Sequence, residues 1–179
     1  MCNMNFYRET SRLILRSPRE SDAVLLAEKR SAEFVMKFNL YEICDAEQIK
    51  NEFEYFEHIV LTLKDTNEVI GCISIRDDYL RYRMDSFSLQ AWLTLDMASQ
   101  GYMTEAISAV LEYLFNDCSC ERVSAQIFSD NVASIRLVQK LGFENEGYLK
   151  RAVKRKDGCV FDLVLFSMDY SMFQTSKKE

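Results

Sequence analysis

Proline and glycine are scarce in this sequence, with one proline and five glycines in 179 residues. No stretch rich in proline, glycine or serine divides the chain, and the chain contains no repeat. A short polar tail begins at about Thr175. A chain of this length that is 48% hydrophobic is large enough to bury one full core. We therefore expect a single domain over residues 1–179.

Long apolar runs are also missing, and the N-terminus lacks the apolar segment of a signal peptide. The single histidine, His58, and six scattered cysteines do not form the clusters typical of zinc sites. The net charge of −6 is unfavourable for a general nucleic-acid binder. These features predict a cytoplasmic protein with reduced thiols, no metal, and neither a membrane nor a nucleic-acid partner.

The segment from Leu89 to Phe115 has the pattern of a strand, a tight loop and a helix. The first N–H groups of a helix lack intrahelical partners and lie at the positive end of the helix dipole, so such a junction can bind a phosphate. Many such junctions bind nothing, and a purely structural role stays open. The glycine spacing matches neither a dinucleotide-binding fingerprint nor a Walker loop, so the sequence does not support a nicotinamide or ATP site.

The remaining pattern predicts an α/β or α+β fold, with a mixed sheet and helices on both faces. We first expect a strand at 12–16, a helix capped by Ser21-Asp22 and running to about Phe34, and a helix after Asp45. Strands at 59–63 and 69–75, joined in a hairpin, should follow, and then a strand at 87–95 and a helix after 101. The remaining elements are a strand at 123–127, a helix capped within 129–131 and ended by Gly142, and a last hairpin with strands at 148–156 and 159–168.

Two stretches together resemble a known family. They are Gly-Tyr-Met-Thr-Glu-Ala at 101–106, and residues 130–149, which contain Asn-x-x-Ser-Ile, Leu-Gly-Phe and Glu-Gly-Tyr-Leu in that order. They resemble the GNAT acyl-CoA N-acetyltransferases, specifically the branch with the ribosomal-protein alanine N-acetyltransferases. The order of elements from Arg12 to Met168 also follows that family. The resemblance implies one GNAT-like domain, with a mostly antiparallel twisted sheet, a splayed central strand pair and acetyl-CoA as co-substrate.

The resemblance also implies where CoA binds. In the family, the strand before the loop pairs with the pantetheine arm, and loop amides surround the pyrophosphate. The matching positions are Trp92, Leu93 and Thr94 in the strand, Ala98, Ser99, Gln100, Gly101, Tyr102 and Met103 in the loop, and Asn131 and Ser134 beside the thioester. Ala98 and Met103 depart from the family's usual Gln/Arg and small residue, but main-chain amides do not depend on these side chains.

Two residues are candidates for catalysis. Val138 occupies the position of a Tyr that protonates the leaving thiolate in many GNAT enzymes, and Ser134 is the candidate replacement because a hydroxyl can donate to that thiolate. The alternative is that Ser134 only bonds backbone at the helix start. Asp162 could hold or deprotonate the amine, since it lies in a strand that is apolar on both sides, which predicts burial with a shifted pKa or a fixed partner. Its alternative is a structural hydrogen bond.

Two further glutamates are expected to be structural. Glu105 lies in the first turn of a helix and complements its dipole. Glu146 matches the family's Glu-Gly and is expected to brace a turn.

The acceptor is expected to be an α-amine. An α-amino group is about one-tenth neutral at pH 7, whereas a lysine amine is neutral to only a few parts in ten thousand, so an N-terminal substrate needs little general-base help. The resemblance to the ribosomal-protein branch implies acetylation of a protein N-terminus, such as that of a ribosomal protein, and this small need for a base suits a sequence with no obvious catalytic histidine. A small amine, such as a polyamine, an aminoglycoside or an amino-acid derivative, and a non-catalytic acyl-CoA-binding module stay open as alternatives. A homodimer through the last hairpin or a sheet edge is compatible with the sequence.

Overall fold

The structure is a computed structural model that describes residues 6–39 and 42–177. Two compact units divide the chain: the first runs to Arg76 and also includes Gln90–Val110, and the second comprises Asp77–Leu89 and the residues from Leu111 onward. Within the described ranges, no helix combines the length and the apolar character that a bilayer crossing requires. The expectation of one domain over the whole chain stays a prediction.

The described residues form eight strands and six α-helices. They are β1 (Tyr7–Glu9), β2 (Leu13–Arg16), α1 (Ala23–Arg30), α2 (Glu33–Lys37), α3 (Ala46–Tyr55), β3 (Glu57–Leu63), β4 (Val69–Asp77), β5 (Ser86–Leu93), α4 (Tyr102–Glu112), β6 (Arg122–Phe128), α5 (Val132–Lys140), β7 (Glu144–Lys154), β8 (Val160–Asp169) and α6 (Tyr170–Ser176). Short 3₁₀ turns cover Glu20–Asp22 and Leu95–Met97, and one π-helical turn follows α4 at Tyr113–Asp117.

The first unit is built on antiparallel pairing in the order β1, β2, β3, β4. Side chains of α1, α2, α3, β3, β4 and β5 form its core on the helix-covered face, with these buried members: Ala23, Leu26, Ala27, Val35, Ile49, Val60, Val69, Cys72 and Trp92. The end of β5 lies very close to β4, because a Cβ placed at Gly71 would be 2.3 Å from the carbonyl oxygen of Trp92. Only glycine allows this approach.

The second unit contains the one parallel pair. The start of β5 pairs with β6 through Ser86–Arg122, Phe87–Val123 and Ser88–Ser124. The pairing ends at Ser88, although β5 continues to Leu93. The other described pairings of this unit, β6 with β8 and β7 with β8, are antiparallel. The prediction of a mixed, mostly antiparallel sheet with a central strand pair that separates is therefore confirmed.

Local signals placed several elements correctly. Asp45 and Gln48 form a capping box at the start of α3, in which the Gln48 backbone N–H donates to the Asp45 carboxylate at 2.9 Å. Gly158 has a φ of 88° in the turn between β7 and β8, as a hairpin with Asp-Gly requires. Gly142, with a φ of 90°, follows the end of α5.

Other expectations were wrong at element ends. The first predicted helix ends at Arg30 rather than near Phe34, and α2 follows as a separate helix. The Asp22 carboxylate does not cap α1, because it binds the Arg16 guanidinium at 2.6 and 2.9 Å. β5 ends at Leu93 rather than at residue 95, and β7 begins at Glu144 rather than at Tyr148. Neither β1 nor α6 was predicted.

Candidate functional site

The loop before α4 contains two residues with left-handed backbone conformation. Ser99 has a φ of 61° and Gly101 a φ of 83°. Turns that include such residues gather successive N–H groups into a concave nest that attracts anions, and the first N–H groups of α4 follow directly. The observed backbone therefore suits the predicted phosphate site.

Two of the predicted backbone contacts are already used within the protein. The Ala98 N–H donates to the Leu95 carbonyl at 3.1 Å, and the Thr94 N–H donates to the Ile70 carbonyl at 2.9 Å. Their amides are thus less available to a ligand than those from Ser99 onward. Of the strand positions proposed from the resemblance, Trp92 is buried and Leu93 is partly exposed.

Arg12 contacts this loop, which sequence analysis did not anticipate. Its Nη1 donates to the Gln100 carbonyl at 3.0 Å, and its guanidinium carbon lies 4.2 Å from the centre of the Tyr102 ring. A Cβ added at Gly101 would lie 3.4 Å from Arg12 Nη2. Arg12 thus places a positive charge beside the nest, although it is 89 positions before Gly101 in the chain. No local pattern could have shown this contact.

Glu105 fastens the turn between β1 and β2 to the start of α4. Its carboxylate accepts hydrogen bonds from the Thr10 hydroxyl at 2.6 Å, the Ser11 hydroxyl at 2.9 Å, and the backbone N–H and Nε of Arg12 at 2.8 and 2.7 Å. Burial by itself would raise the pKa of Glu105, but these hydrogen bonds outweigh it and lower the pKa to about 2. Glu105 therefore holds Arg12 in place, a role beyond the expected interaction with the helix dipole.

We expect Glu105→Gln to lower the free energy of unfolding at pH 7 by about 1–3 kcal/mol, because hydrogen bonds to a charged group are lost. The folded-state pKa of about 2 lies below the usual 4.5, so the carboxylate's stabilisation is complete above pH 4.5 and disappears as the pH falls toward 2. Urea unfolding at pH 7 and pH 3 measures this difference.

The control for this experiment is Glu112→Gln, in the same helix, where the carboxylate is exposed and bonds Lys177 at 2.7 Å. That variant should change stability by less than about 1 kcal/mol. An equal loss for Glu105→Gln at both pH values would contradict the assignment of the stabilisation to the ionised carboxylate.

Asn131 and Ser134 lie together at the start of α5. The Asn131 side-chain oxygen accepts from the Ser134 N–H at 3.2 Å, which confirms the predicted cap within 129–131. The Ser134 hydroxyl is partly exposed and makes no hydrogen bond to the part of the chain that the structure describes. Val138 is buried, at 5% exposure, so its side chain belongs to the core.

Asp162 differs from its expected environment. It is partly exposed rather than buried, because it lies near the start of β8 beside an irregular part of β7 where Arg151 has a φ of 50°. The expected fixed partners are present: the Tyr148 hydroxyl and the Arg151 N–H both donate to its carboxylate at 2.6 Å. The Tyr148 hydrogen bond first, and the Arg151 bond next, lower the pKa of Asp162, which weakens it as a base.

Glu146 and His58 both contact other side chains of the protein in ways that suit a structural role. Glu146 bridges the guanidinium groups of Arg81 and Arg122, as a bracing residue would. His58 is 7% exposed, and burial lowers its pKa to about 4, so it is neutral at pH 7. Its Nδ1 lies 2.8 Å from the Ser74 hydroxyl.

A cavity of about 330 Å³ lies in the first unit, and no sequence pattern predicted it. It is lined by Arg30, Glu42, Ile43, Cys44, Gln48, Glu52, Arg76 and Gln90. Arg30 and Glu52 form a two-pronged ion pair at 2.6 and 3.0 Å. The residues come from α1, the segment before α3, α3, β4 and β5, so only folding brings them together.

Comparisons with known proteins find related chains over most of the sequence. The model of the acetyltransferase (GNAT) domain matches residues 12–144, a range that includes the loop and Ser134 but not Asp162. The uncharacterized N-acetyltransferase YoaA of Bacillus subtilis is 28% identical over 170 residues, which cover 89% of this chain and 94% of that protein.

Solved structures share the fold. The ribosomal-protein-S5-alanine acetyltransferase from Vibrio fischeri superposes with a TM-score of 0.82 at 20% identity, over 92% of this chain and 96% of that one. A ribosomal L7/L12 alpha-N-protein acetyltransferase in complex with coenzyme A gives a TM-score of 0.77 at 18% identity, over 89% of this chain and 95% of that one.

Proposed function

Since the chain belongs to the GNAT acetyltransferase family and is an acetyl-CoA-dependent N-acetyltransferase, we propose that its acceptor is a protein N-terminal α-amine. The observation that supports a working acetyl-CoA site is the left-handed backbone at Ser99 and Gly101 before α4. The acceptor proposal draws on two structural neighbours, one named as a ribosomal-protein-S5-alanine acetyltransferase and the other as a ribosomal L7/L12 alpha-N-protein acetyltransferase. A cytoplasmic location, where an N-terminus emerges during synthesis, is part of the same proposal.

We assign the CoA contacts to this chain's own groups. The amides from Ser99 to Met103 would hold the pyrophosphate, with the Arg12 guanidinium adding positive charge beside them. The backbone of Trp92 and Leu93 would pair with the pantetheine arm. The bound thioester supplies the acetyl group as an electrophile.

Proton transfer is assigned to Ser134. Its hydroxyl is partly exposed, and Asn131 already satisfies its backbone N–H, so the hydroxyl can donate to the leaving sulfur without weakening the helix start. The lowered pKa of Asp162, caused by its Tyr148 hydrogen bond, favours a structural role for that carboxylate. The attacking amine is neutral, which is the state of about one-tenth of an α-amine at pH 7. As its bond to the acetyl carbon forms and the carbon–sulfur bond breaks, the nitrogen loses a proton to water or to a weak base, and the Ser134 hydroxyl regains from water the proton that it gives to the sulfur.

A panel of amines tests the acceptor proposal, with release of free CoA thiol as the readout. We expect kcat/KM for tetrapeptides with a free N-terminal alanine, serine or methionine to exceed that for spermidine or kanamycin at least about 100-fold. Turnover of the peptides should rise about tenfold from pH 7 to pH 9, because the neutral fraction of an α-amine rises from about one-tenth toward one.

The control peptides carry a blocked N-terminus and one free lysine, and they should be poor acceptors. Faster turnover of spermidine or kanamycin than of every peptide would show that the acceptor is a small amine. Acetyl-CoA binding without turnover of any amine would support the non-catalytic alternative. A homodimer stays a separate prediction that sedimentation can test.

A further inference from the structure

We propose that the cavity of the first unit is the acceptor pocket and that it takes an α-aminoacyl group, in which an amine lies beside a carbonyl or carboxylate oxygen. This inference rests on the proposed function, because it names the chemistry of the acceptor. The group occurs both at a peptide N-terminus and in a free amino acid, and the experiment below separates these sources.

The cavity lies beside the strand that is proposed to bind the pantetheine arm. Gln90 lines it from β5, two residues before Trp92. Since side chains two apart in a strand lie on the same face, Gln90 and Trp92 share a face of β5. Trp92 packs in the core with residues of α1 and α3, and the same two helices supply Arg30, Gln48 and Glu52 to the cavity wall.

The charges of the wall balance. Two arginines, Arg30 and Arg76, and two glutamates, Glu42 and Glu52, line the cavity, so its formal net charge is zero. A polyamine, which carries several positive charges, would need an excess of carboxylates, and a polyanion would need an excess of arginines. A compact group with an amine at one end and an oxygen at the other matches a wall with both signs of charge.

Arg76 provides the most specific signal for an oxygen ligand. Its guanidinium carbon lies 4.1 Å from the centre of the Phe56 ring, which holds the group flat. No ion pair or hydrogen bond joins its side chain to another residue in 6–39 or 42–177, and its Nε is buried without a partner there. A guanidinium has five donors arranged to bind carbonyl or carboxylate oxygens, so an oriented, uncommitted arginine in a cavity wall marks where such an oxygen would bind.

The remaining lining groups suit the amine end. Arg30 fixes the Glu52 carboxylate through two hydrogen bonds, so Glu52 presents a negative charge in a defined position. The side-chain oxygen of Gln90 is buried and has no hydrogen-bond partner in the described residues. It can therefore accept a hydrogen bond from an amine N–H. A volume of about 330 Å³ is at the small end for ligand pockets, which suits one or two amino-acid residues better than a multi-ring aminoglycoside.

The test compares alaninamide with isopropylamine, which has a methyl group in place of the carbonyl group. The two amines differ in their neutral fraction at a given pH, so each KM is compared only with the KM of the parent protein for the same amine. We expect Arg76→Met to raise KM for alaninamide about 30-fold or more and to change KM for isopropylamine less than about threefold, and Arg76→Lys to restore part of the loss, because lysine keeps the charge without the fork of donors. Arg19→Met, an arginine of the same unit outside the cavity wall, should leave both values unchanged.

Acetyl-CoA binding and thermal unfolding are measured for each variant, so a folding defect in Arg76→Met is recognised and Arg76→Lys then decides the outcome. Equal changes in KM for both amines in the folded variants would overturn the pocket assignment, while turnover of peptides by the parent protein would leave the proposed function standing. No turnover of any amine would instead contradict the proposed function itself.

Free alanine and an alanine-initiated tetrapeptide identify the source of the group. Both contain it, so preference for either over spermidine supports the pocket chemistry. A preference for the peptide indicates a protein N-terminus, and a preference for alanine indicates a free amino acid. A preference for spermidine over both would overturn the inference.

Discussion

Replacing Gly101 by aspartate is expected to weaken acetyl-CoA binding at least about 100-fold, which corresponds to about 2.7 kcal/mol. Gly101 has a φ of 83°, a conformation that costs a residue with a side chain about 1–3 kcal/mol. The substitution would also place a carboxylate among the amides assigned to the pyrophosphate, where two negative groups repel each other. Calorimetric titration of the purified protein with acetyl-CoA measures the effect.

The chain offers a matched control for backbone strain. Gly158 has a φ of 88° in the turn between β7 and β8, and a Cβ there would meet no atom within 4 Å. Gly158→Asp therefore introduces the same residue in a similar conformation outside the loop, and it should bind acetyl-CoA as the parent does. If Gly101→Asp binds acetyl-CoA within about twofold of the parent, the loop is not the pyrophosphate site.

Ser134→Ala should lower kcat about 100-fold while changing the Kd for acetyl-CoA less than about threefold. The expected loss follows from the usual contribution of a positioned proton donor, about 10²–10⁴-fold. The fold should survive, because the cap at α5 uses the Asn131 side chain and the Ser134 backbone N–H, which alanine retains. Steady-state rates with the best peptide of the panel, together with calorimetry, measure the two quantities.

Two further variants serve as controls for Ser134→Ala. Ser134→Thr keeps a hydroxyl and should retain most of kcat, and Ser129→Ala removes a nearby serine that precedes the helix and should have little effect. A kcat for Ser134→Ala within about threefold of the parent would mean that the serine is structural. Water, or another group, would then protonate the leaving thiolate.

Short-range signals in the sequence were reliable where one local interaction decides the backbone. Asp45 and Gln48 are three residues apart and close a capping box by themselves. Gly158 and Gly142 each adopt a left-handed conformation that strongly favours glycine, so their positions predicted a turn and a helix end. The motifs at 101–106 and 130–149 likewise led to the family, because they record loop and helix-start chemistry within short stretches.

Expectations were wrong where a distant or longer-range partner competes for a side chain. Asp22 looked like a helix cap, but Arg16 offers its carboxylate a stronger, charged partner. Asp162 looked buried from the apolar residues around it in β8, yet the irregular part of β7 leaves it partly exposed and supplies its hydrogen bonds. Burial of a strand residue depends on what covers the strand, which its own sequence does not state.

By itself, the sequence determined the order of most strands and helices, because that order depends on periodicity, caps and turns within short segments. The family followed from the resemblance of the motifs at 101–106 and 130–149, and the acetyl-CoA dependence followed from the family. Only the tertiary structure decided that Glu105 holds Arg12 beside the Gly101 loop and that Arg76 and Gln90 line one cavity with Glu52. The physical reason is that these groups are far apart in the chain. The groups can form hydrogen bonds and ion pairs only after strand pairing and helix packing have brought them within a few ångströms of each other.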